Sequence, residues 1–328
     1  MILPGAPSRH GRPRAVDLLI GLTLVANLVF AGSVLLVDRP PSGFLDPWDG
    51  IVLNVAGTLP AVLCIWRAAG ERRAGAPWWT MAVGILANSA ANLVYAYHDQ
   101  VQDPVPFPAW SDLFFLASYV AFGVAVLLLT HREAPRASRA TRLDGLVVGL
   151  GVGSVAVALW FEDTLEQTGS VASVLVGLAY PLFDVALVVV AVAGLAAARF
   201  RARPSTLVVL SGIALFTLGD VVFLRQVAAD TYVSGTVLEL TWSFGIVLLG
   251  LAAWAPAPRR THDRERTSAL TAVPAASALV AMVVLGFGVA GRVPYLASGL
   301  ALAALGAALL RVAGTVGDEL DQLLVRPV

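Results

Sequence analysis

The stretch VASVLVGLAYPLFDVALVVVAVAGLAAA, residues 171–198, decides the fold, because its 28 residues hold a single charged side chain, Asp184. A helix rising about 1.5 Å per residue crosses the ~30 Å hydrocarbon core of a bilayer with about 20 predominantly apolar residues. This run is longer than a perpendicular helix needs, and Pro181 inside it predicts a kink or strong tilt. The rest of the chain has the same character: 58% of its residues are hydrophobic and 13% charged. Soluble domains carry roughly 25% charged residues, so this chain has too little polar surface to live in water.

Working outward from the sixth run, further apolar runs lie at about 15–37, 48–69, 78–97, 110–130, 143–161, 205–225, 234–254, 268–290 and 294–312. The expectation is an all-α integral membrane protein of about ten transmembrane helices. Arg9, Arg12 and Arg14 precede a first run longer than a signal-peptide core and without a clear small-residue cleavage site, which reads as a retained helix.

Orientation follows from the basic residues, since cytoplasmic connections collect Lys and Arg. All 22 are arginine, and 19 of them fall in the N-terminal tail, alternate connections and C-terminal tail. The opposite connections hold only Arg39, Arg225 and Arg292. Both termini are therefore expected in the cytoplasm of a multi-pass plasma-membrane protein. The arginine-poor side instead carries acidic loops, Asp99 to Asp103 and Glu162, Asp163 and Glu166. Trp48, Trp110 and Trp160 fall at outer boundaries and Trp66, Trp78, Trp79 and Trp254 at inner ones, as interfacial belts.

Several features recur about 127 residues apart. Arg142-Leu-Asp144 opens the fifth run as Arg14-Ala-Val-Asp17 opens the first, Asp112 maps to Glu239, and Asn92 maps to Gly219 beside Asp220. These matches suggest a 4+4 internal repeat in parallel, residues 15–130 and 143–254, although Pro60 and Pro181 are 121 apart and fit badly. The organisation that follows is a cytoplasmic N-terminal tail (1–14) and an eight-helix membrane domain (15–254). A cytoplasmic loop (255–267), a two-helix C-terminal unit (268–312) and a cytoplasmic tail (313–328) complete it. Transporters often use inverted repeats instead.

Polar residues inside the spans are the candidate ligand-binding groups, because a carboxylate at a helix centre costs roughly 2.5–3.5 kcal/mol on insertion scales. Asn88 and Asn92 share a face of the third run. Asp112 enters the fourth run with Tyr119 two turns below, Thr217 and Asp220 lie late in the seventh, and Glu239 and Ser243 open the eighth. They could line an outward cavity; equally, Asp112 and Glu239 sit where a helix dipole favours an acid, and the asparagines suit interhelical hydrogen bonds. Asp184 is the hardest to place, about 20 Å into its helix at 1.5 Å per residue. Tyr180, four residues earlier, is positioned to donate a hydrogen bond to it, so a ligand or titrating role and a structural pairing both stay open. Asp17 and Asp144, beside Arg14 and Arg142, read as structural anchors.

Catalytic and metal signatures are lacking. Cys64 is the only cysteine, the four histidines have no ligand spacing on one face, and no phosphate loop, nucleophile elbow or zinc motif occurs. The run Gly149, Gly151, Gly153 lies inside a helix and suits close packing. The expectation is a protein that is not an enzyme and does not bind nucleic acid, with its cofactor unknown, the lipid bilayer as its surroundings and no resident metal.

Four elements resemble a known family: Pro108-Ala-Trp-Ser-Asp112-Leu-Phe-Phe-Leu-Ala-Ser-Tyr119, Arg142-Leu-Asp-Gly-Leu-Val-Val-Gly149, Ala179-Tyr-Pro-Leu-Phe-Asp184 and Leu218-Gly-Asp220-Val-Val-Phe. They are similar to the N-terminal membrane region of actinobacterial cyclic-di-GMP signalling proteins, where a polytopic region precedes diguanylate cyclase and phosphodiesterase domains. Residues 311–328 hold none of that family's GGDEF or EAL residues, so catalysis is not carried over. The resemblance implies a membrane sensor or regulatory module in bacterial signal transduction. Its tail, Asp318, Glu319, Leu320, Asp321, Leu323 and Leu324, is placed to meet a cytoplasmic signalling partner. The alternative is a small-molecule or ion transporter.

Overall fold

The computed structural model describes residues 13–38, 46–71, 74–101, 106–133, 137–160, 170–200, 202–229, 231–256 and 267–324. Several charges used for orientation lie outside the described residues: Arg9, Arg12, Arg39, Asp103, Glu162, Asp163, Glu166 and the arginines of 257–266. The described chain is helical, with no strand among the described residues. In order, the helices are α1 (Arg14–Leu36), α2 (Leu53–Gly70), α3 (Ala76–Val101), α4 (Trp110–Glu133) and α5 (Arg139–Trp160). They continue with α6 (Val171–Ala197), α7 (Pro204–Ala228), α8 (Glu239–Ala252), α9 (Thr267–Val289) and α10 (Tyr295–Leu324). A π-helical turn, Asp46–Val52, leads into α2.

Seven of these helices are long and apolar enough to cross a membrane: α1, Pro47–Gly70, α4, α5, α6, α7 and α10. Glu239–Ala252 and Val273–Val289 are apolar but shorter, and α3 carries Asn88, Ser89, Asn92 and Tyr95 along its length. Leu18, Leu22, Leu28 and Leu36 of α1 and Val283 and Phe287 of α9 are exposed, a surface suited to lipid and not to water. Several hydroxyls inside these helices are satisfied locally, Thr23 donating to the Leu19 carbonyl at 2.8 Å and Ser154 to that of Gly151 at 2.7 Å. Such back-bonding hides a polar group that lipid cannot solvate. The chain is an all-α polytopic membrane protein.

Two compact units divide the chain. The first comprises α1 to α3, α4 up to Leu128, α6 up to Asp184, and α7 and α8. Its core is filled by Phe30, Leu63, Met81, Ile85, Phe122 and Leu249, all fully buried. Pro60 of α2 sits where Gly250 of α8 presents no side chain: a Cβ there would lie 2.5 Å from the proline ring. The Trp254 indole donates to the Leu63 carbonyl at 3.0 Å, and the Ser243 hydroxyl donates to the Asn27 side chain across α8 and α1.

The second unit comprises α4 from Leu129, α5, α6 from Val185, α9 and α10. Small residues set its packing: Ala281 of α9 and Ala297, Ala301 and Ala304 of α10 are fully buried around Val157 of α5. The glycine run in α5 meets close neighbours, Gly149 against the Val189 carbonyl of α6 and Gly151 against Ser277 of α9. Asp144 of α5 accepts from Arg311 Nε of α10 at 2.8 Å. The backbone of α10 runs to Leu324, whereas the side chains of Asp318 to Leu324, expected to meet a partner, lie outside the described ones.

Candidate functional site

The site is built in the first unit from α4, α6, α7 and α8. Asp112 lies in the first turn of α4, where the positive helix end favours an acid, and its Oδ2 accepts from the Ala109 N–H at 2.6 Å. Its other oxygen accepts from the Tyr180 hydroxyl of α6 at 2.6 Å. One carboxylate thus closes its own helix start and ties α4 to α6.

Two turns deeper, Tyr119 is 2% exposed and donates to Asp220 Oδ2 of α7 at 2.6 Å. The second Asp220 oxygen accepts from the Trp242 indole of α8 at 2.9 Å. Three helices converge on this carboxylate, and both donors are neutral. Away from water such hydrogen bonds are electrostatically stronger than at a surface, so they fix the relative positions of α4, α7 and α8. The Tyr119 ring packs against Phe216 at 5.7 Å, Phe183 at 6.0 Å and, edge-on, Tyr180 at 6.1 Å, which excludes solvent around the acid.

Gly219 makes the indole contact achievable. A Cβ there would lie 2.2 Å from Thr241 Oγ1 and 2.8 Å from Trp242 Nε1, so only glycine lets α7 lie this close to α8.

Asp184 of α6 is 4% exposed and lies against Asp220 and Thr217 of α7. Neither of its oxygens makes a hydrogen bond, and the Thr217 hydroxyl, 7% exposed, makes none either. Tyr180, expected to donate to Asp184, bonds Asp112 instead. Helical side chains lean toward the N-terminus of their own helix, so the phenol of Tyr180 points away from the residue four positions later. The i, i+4 spacing puts both residues on one face; it does not bring the hydroxyl to the acid.

The other candidates form smaller groups. Asn92 Nδ2 donates to the Asn88 backbone oxygen at 3.0 Å and side-chain oxygen at 3.2 Å, so this pair is bonded within α3. Glu239, at the start of α8, accepts from the Tyr232 hydroxyl at 3.0 Å. Burial and this carboxylate push the Tyr232 phenol well above its usual range. Phe223 packs edge-on against both Tyr232 at 4.7 Å and Trp242 at 5.8 Å, joining the two groups through rings. Of the eight sequence candidates, Asp112, Tyr119, Tyr180, Asp184 and Asp220 come together; Asn88 and Asn92 do not join them by any hydrogen bond among the described residues. Trp242 and Tyr232 were missed by sequence reasoning. Trp242, three residues after Glu239, reads from the sequence as one more membrane-interface tryptophan, so no signal set it apart.

Chemically, the arrangement holds two carboxyl groups side by side with phenols, an indole and an alcohol, and no hydrogen bond or ion pair among the described residues brings a nitrogen base or thiol to it. It has no nucleophile paired with a base, and no group of three or more His, Cys, Asp or Glu is gathered for a metal among the described residues. No protein-family model, curated protein or solved structure matches the chain.

Proposed function

We propose that this chain is a sensor or regulatory module of a bacterial signalling system, held in the plasma membrane by ten crossing helices with both termini cytoplasmic. Asp112, Tyr119, Tyr180, Asp184 and Asp220 form its sensing network. In this reading α3, α8 and α9 also cross, and the arginine distribution sets the orientation. The paired pattern of an acid at the start of α4 and of α8, each accepting from a tyrosine, supports the proposed duplication.

The observation that carries the reading is the course of α6. Its first part holds Tyr180 and Asp184 in the network, and the same helix continues as Val185–Ala197 against Gly145 and Gly149 of α5. Asp144 of α5 is in turn bonded to Arg311 of α10. With 30 residues, α10 is about 45 Å long, more than the hydrocarbon thickness needs, and so carries movement out of the membrane. A shift of α6 at Asp184 is thereby offered a covalent and packed route to an output helix.

The test is a fluorophore on Val316→Cys in nanodiscs; the native Cys64 is fully buried and stays unlabelled. A ligand screen should find a compound that changes the reporter in the parent protein and not in Asp184→Asn, without crossing the membrane in proteoliposomes. The side-by-side acids inside apolar helices specifically favour one other reading, an ion-coupled transporter. Flux of the ligand without any reporter change would establish that reading and overturn the sensor.

A further inference from the structure

Asp184 poses a chemical problem that its surroundings leave unsolved. It is nearly fully buried, it lies against a second carboxyl group, and neither of its oxygens accepts a hydrogen bond. Other carboxylates in this protein look different: Asp112 accepts two bonds, Asp220 accepts two, and Asp144 meets a guanidinium. Two like charges in contact in a medium of low dielectric repel strongly unless a positive charge is shared between them. The Thr217 hydroxyl lies beside Asp184 and is itself buried, with no hydrogen bond of ordinary geometry to any group. A buried alcohol without a partner is an exception among folded proteins and points to a ligand oxygen-donor role.

We propose that Asp184, Asp220 and Thr217 bind one monovalent alkali cation, Na+ in the first instance, between α6 and α7. This rests on the sensing role given to the network above and names what it detects. The donor set is all oxygen, which selects hard cations over transition metals. At most five protein oxygens are offered, and both oxygens of Asp220 already accept bonds from Tyr119 and Trp242. Calcium, which takes six to eight oxygens, is under-supplied there, and magnesium sheds its water reluctantly. Phe183 and Phe216 pack on Tyr119 beside the acids, and such a close ring cluster suits a small ion better than an organic amine. The ionisable groups that meet Asp184 are Asp220 of α7 and Tyr119 of α4, so a proton is the natural competitor for the same place.

The experiment is thermal unfolding of the full chain in nanodiscs, read by modification of Cys64, which is buried until the helices part. Melting is compared in sodium, lithium, potassium and choline chloride at one ionic strength, from pH 6 to 9. The expected result is a midpoint that rises with sodium concentration above its value in choline, is weakened by acid, and loses its sodium dependence in Asp184→Asn. Thr217→Val, which keeps both acids, should weaken the apparent sodium affinity about tenfold, the effect of one lost bond to a charged group; it decides the matter if the Asn variant does not fold. Equal midpoints in alkali ions and choline overturn the proposal. So does a response to pH alone, which assigns the site to a proton, or a sodium response that survives both substitutions. A Val316→Cys reporter that answers a different ligand through Asp184 while sodium has no effect refutes the cation and leaves the sensor reading standing. Sodium binding with a silent reporter does the reverse.

Discussion

Gly219→Ala tests whether the approach of α7 to α8 holds the network together. The added methyl would lie 2.2 Å from Thr241 Oγ1, 2.8 Å from Trp242 Nε1 and 3.1 Å from Trp242 Cδ1, so something must shift. Thr241 is held by its own bond to the Leu238 carbonyl at 2.7 Å, which leaves the indole to swing or the helices to separate. Either response breaks the 2.9 Å bond from Trp242 to Asp220. Overpacking costs about 1–3 kcal/mol and a lost bond to a charged group about 1.5–3 kcal/mol, while alanine returns about 1 kcal/mol of helix propensity. The expected net loss is about 1.5–5 kcal/mol, read as a lower unfolding midpoint in nanodiscs and as changed tryptophan fluorescence before unfolding. Gly21→Ala on α1 is the control, since its added carbon meets nothing within 4 Å; it should be neutral or stabilising by up to about 1 kcal/mol. If Gly219→Ala and Gly21→Ala behave alike, with the native fluorescence kept, the close approach and the network built on it are refuted.

Gly250→Ala should likewise destabilise by about 1–3 kcal/mol, because the atoms it meets are the Cβ, Cα and carbonyl oxygen of Pro60, at 2.5, 2.7 and 2.9 Å, which cannot rotate away; an unchanged midpoint would refute the contact. Tyr119→Phe keeps the ring contacts and removes one of the two donors to Asp220, so it should cost about 1.5–3 kcal/mol. Tyr180→Phe should cost less, because Asp112 keeps the Ala109 N–H and its place at a helix start, and the reverse order in matched melts would argue against the network. Arg311→Gln should change stability by no more than about 1 kcal/mol, since the pair with Asp144 is part-exposed, yet should blunt the Val316→Cys reporter. For topology, cysteines placed in 131–142 and 255–267 should label only from the cytoplasmic side; labelling from outside would invert the orientation.

The helices were legible because the bilayer leaves the backbone no other choice: about 20 apolar residues between polar breaks form a helix whatever they later touch. The ends of the runs were less legible. The eighth was read from residue 234, whereas α8 starts at Glu239, because Val237 and Leu238 are as apolar as the helix that follows and form only turns. Cost identified Asp184, since a lone acid in a 28-residue apolar run needs an explanation from anywhere in the bundle. Which partner it has was beyond such reasoning. Spacing along one helix says which residues share a face, and the structure shows why that falls short: Tyr180 shares the face of Asp184 and reaches across to α4 instead. Trp242 was illegible for a related reason. Its indole looks like any membrane-interface tryptophan until Gly219 on another helix is seen to make room for it, and neither residue carries that information alone. The same logic explains why Asp220 and Asp184, on helices adjacent in sequence, end with opposite fates. Asp220 faces two donors brought by α4 and α8, whereas Asp184 faces only that already bonded acid and the Thr217 hydroxyl, neither of which forms a hydrogen bond of ordinary geometry with it. A polar group that folding leaves without a partner in so apolar a bundle is maintained against its cost, and the site's chemistry has to be sought in what completes it.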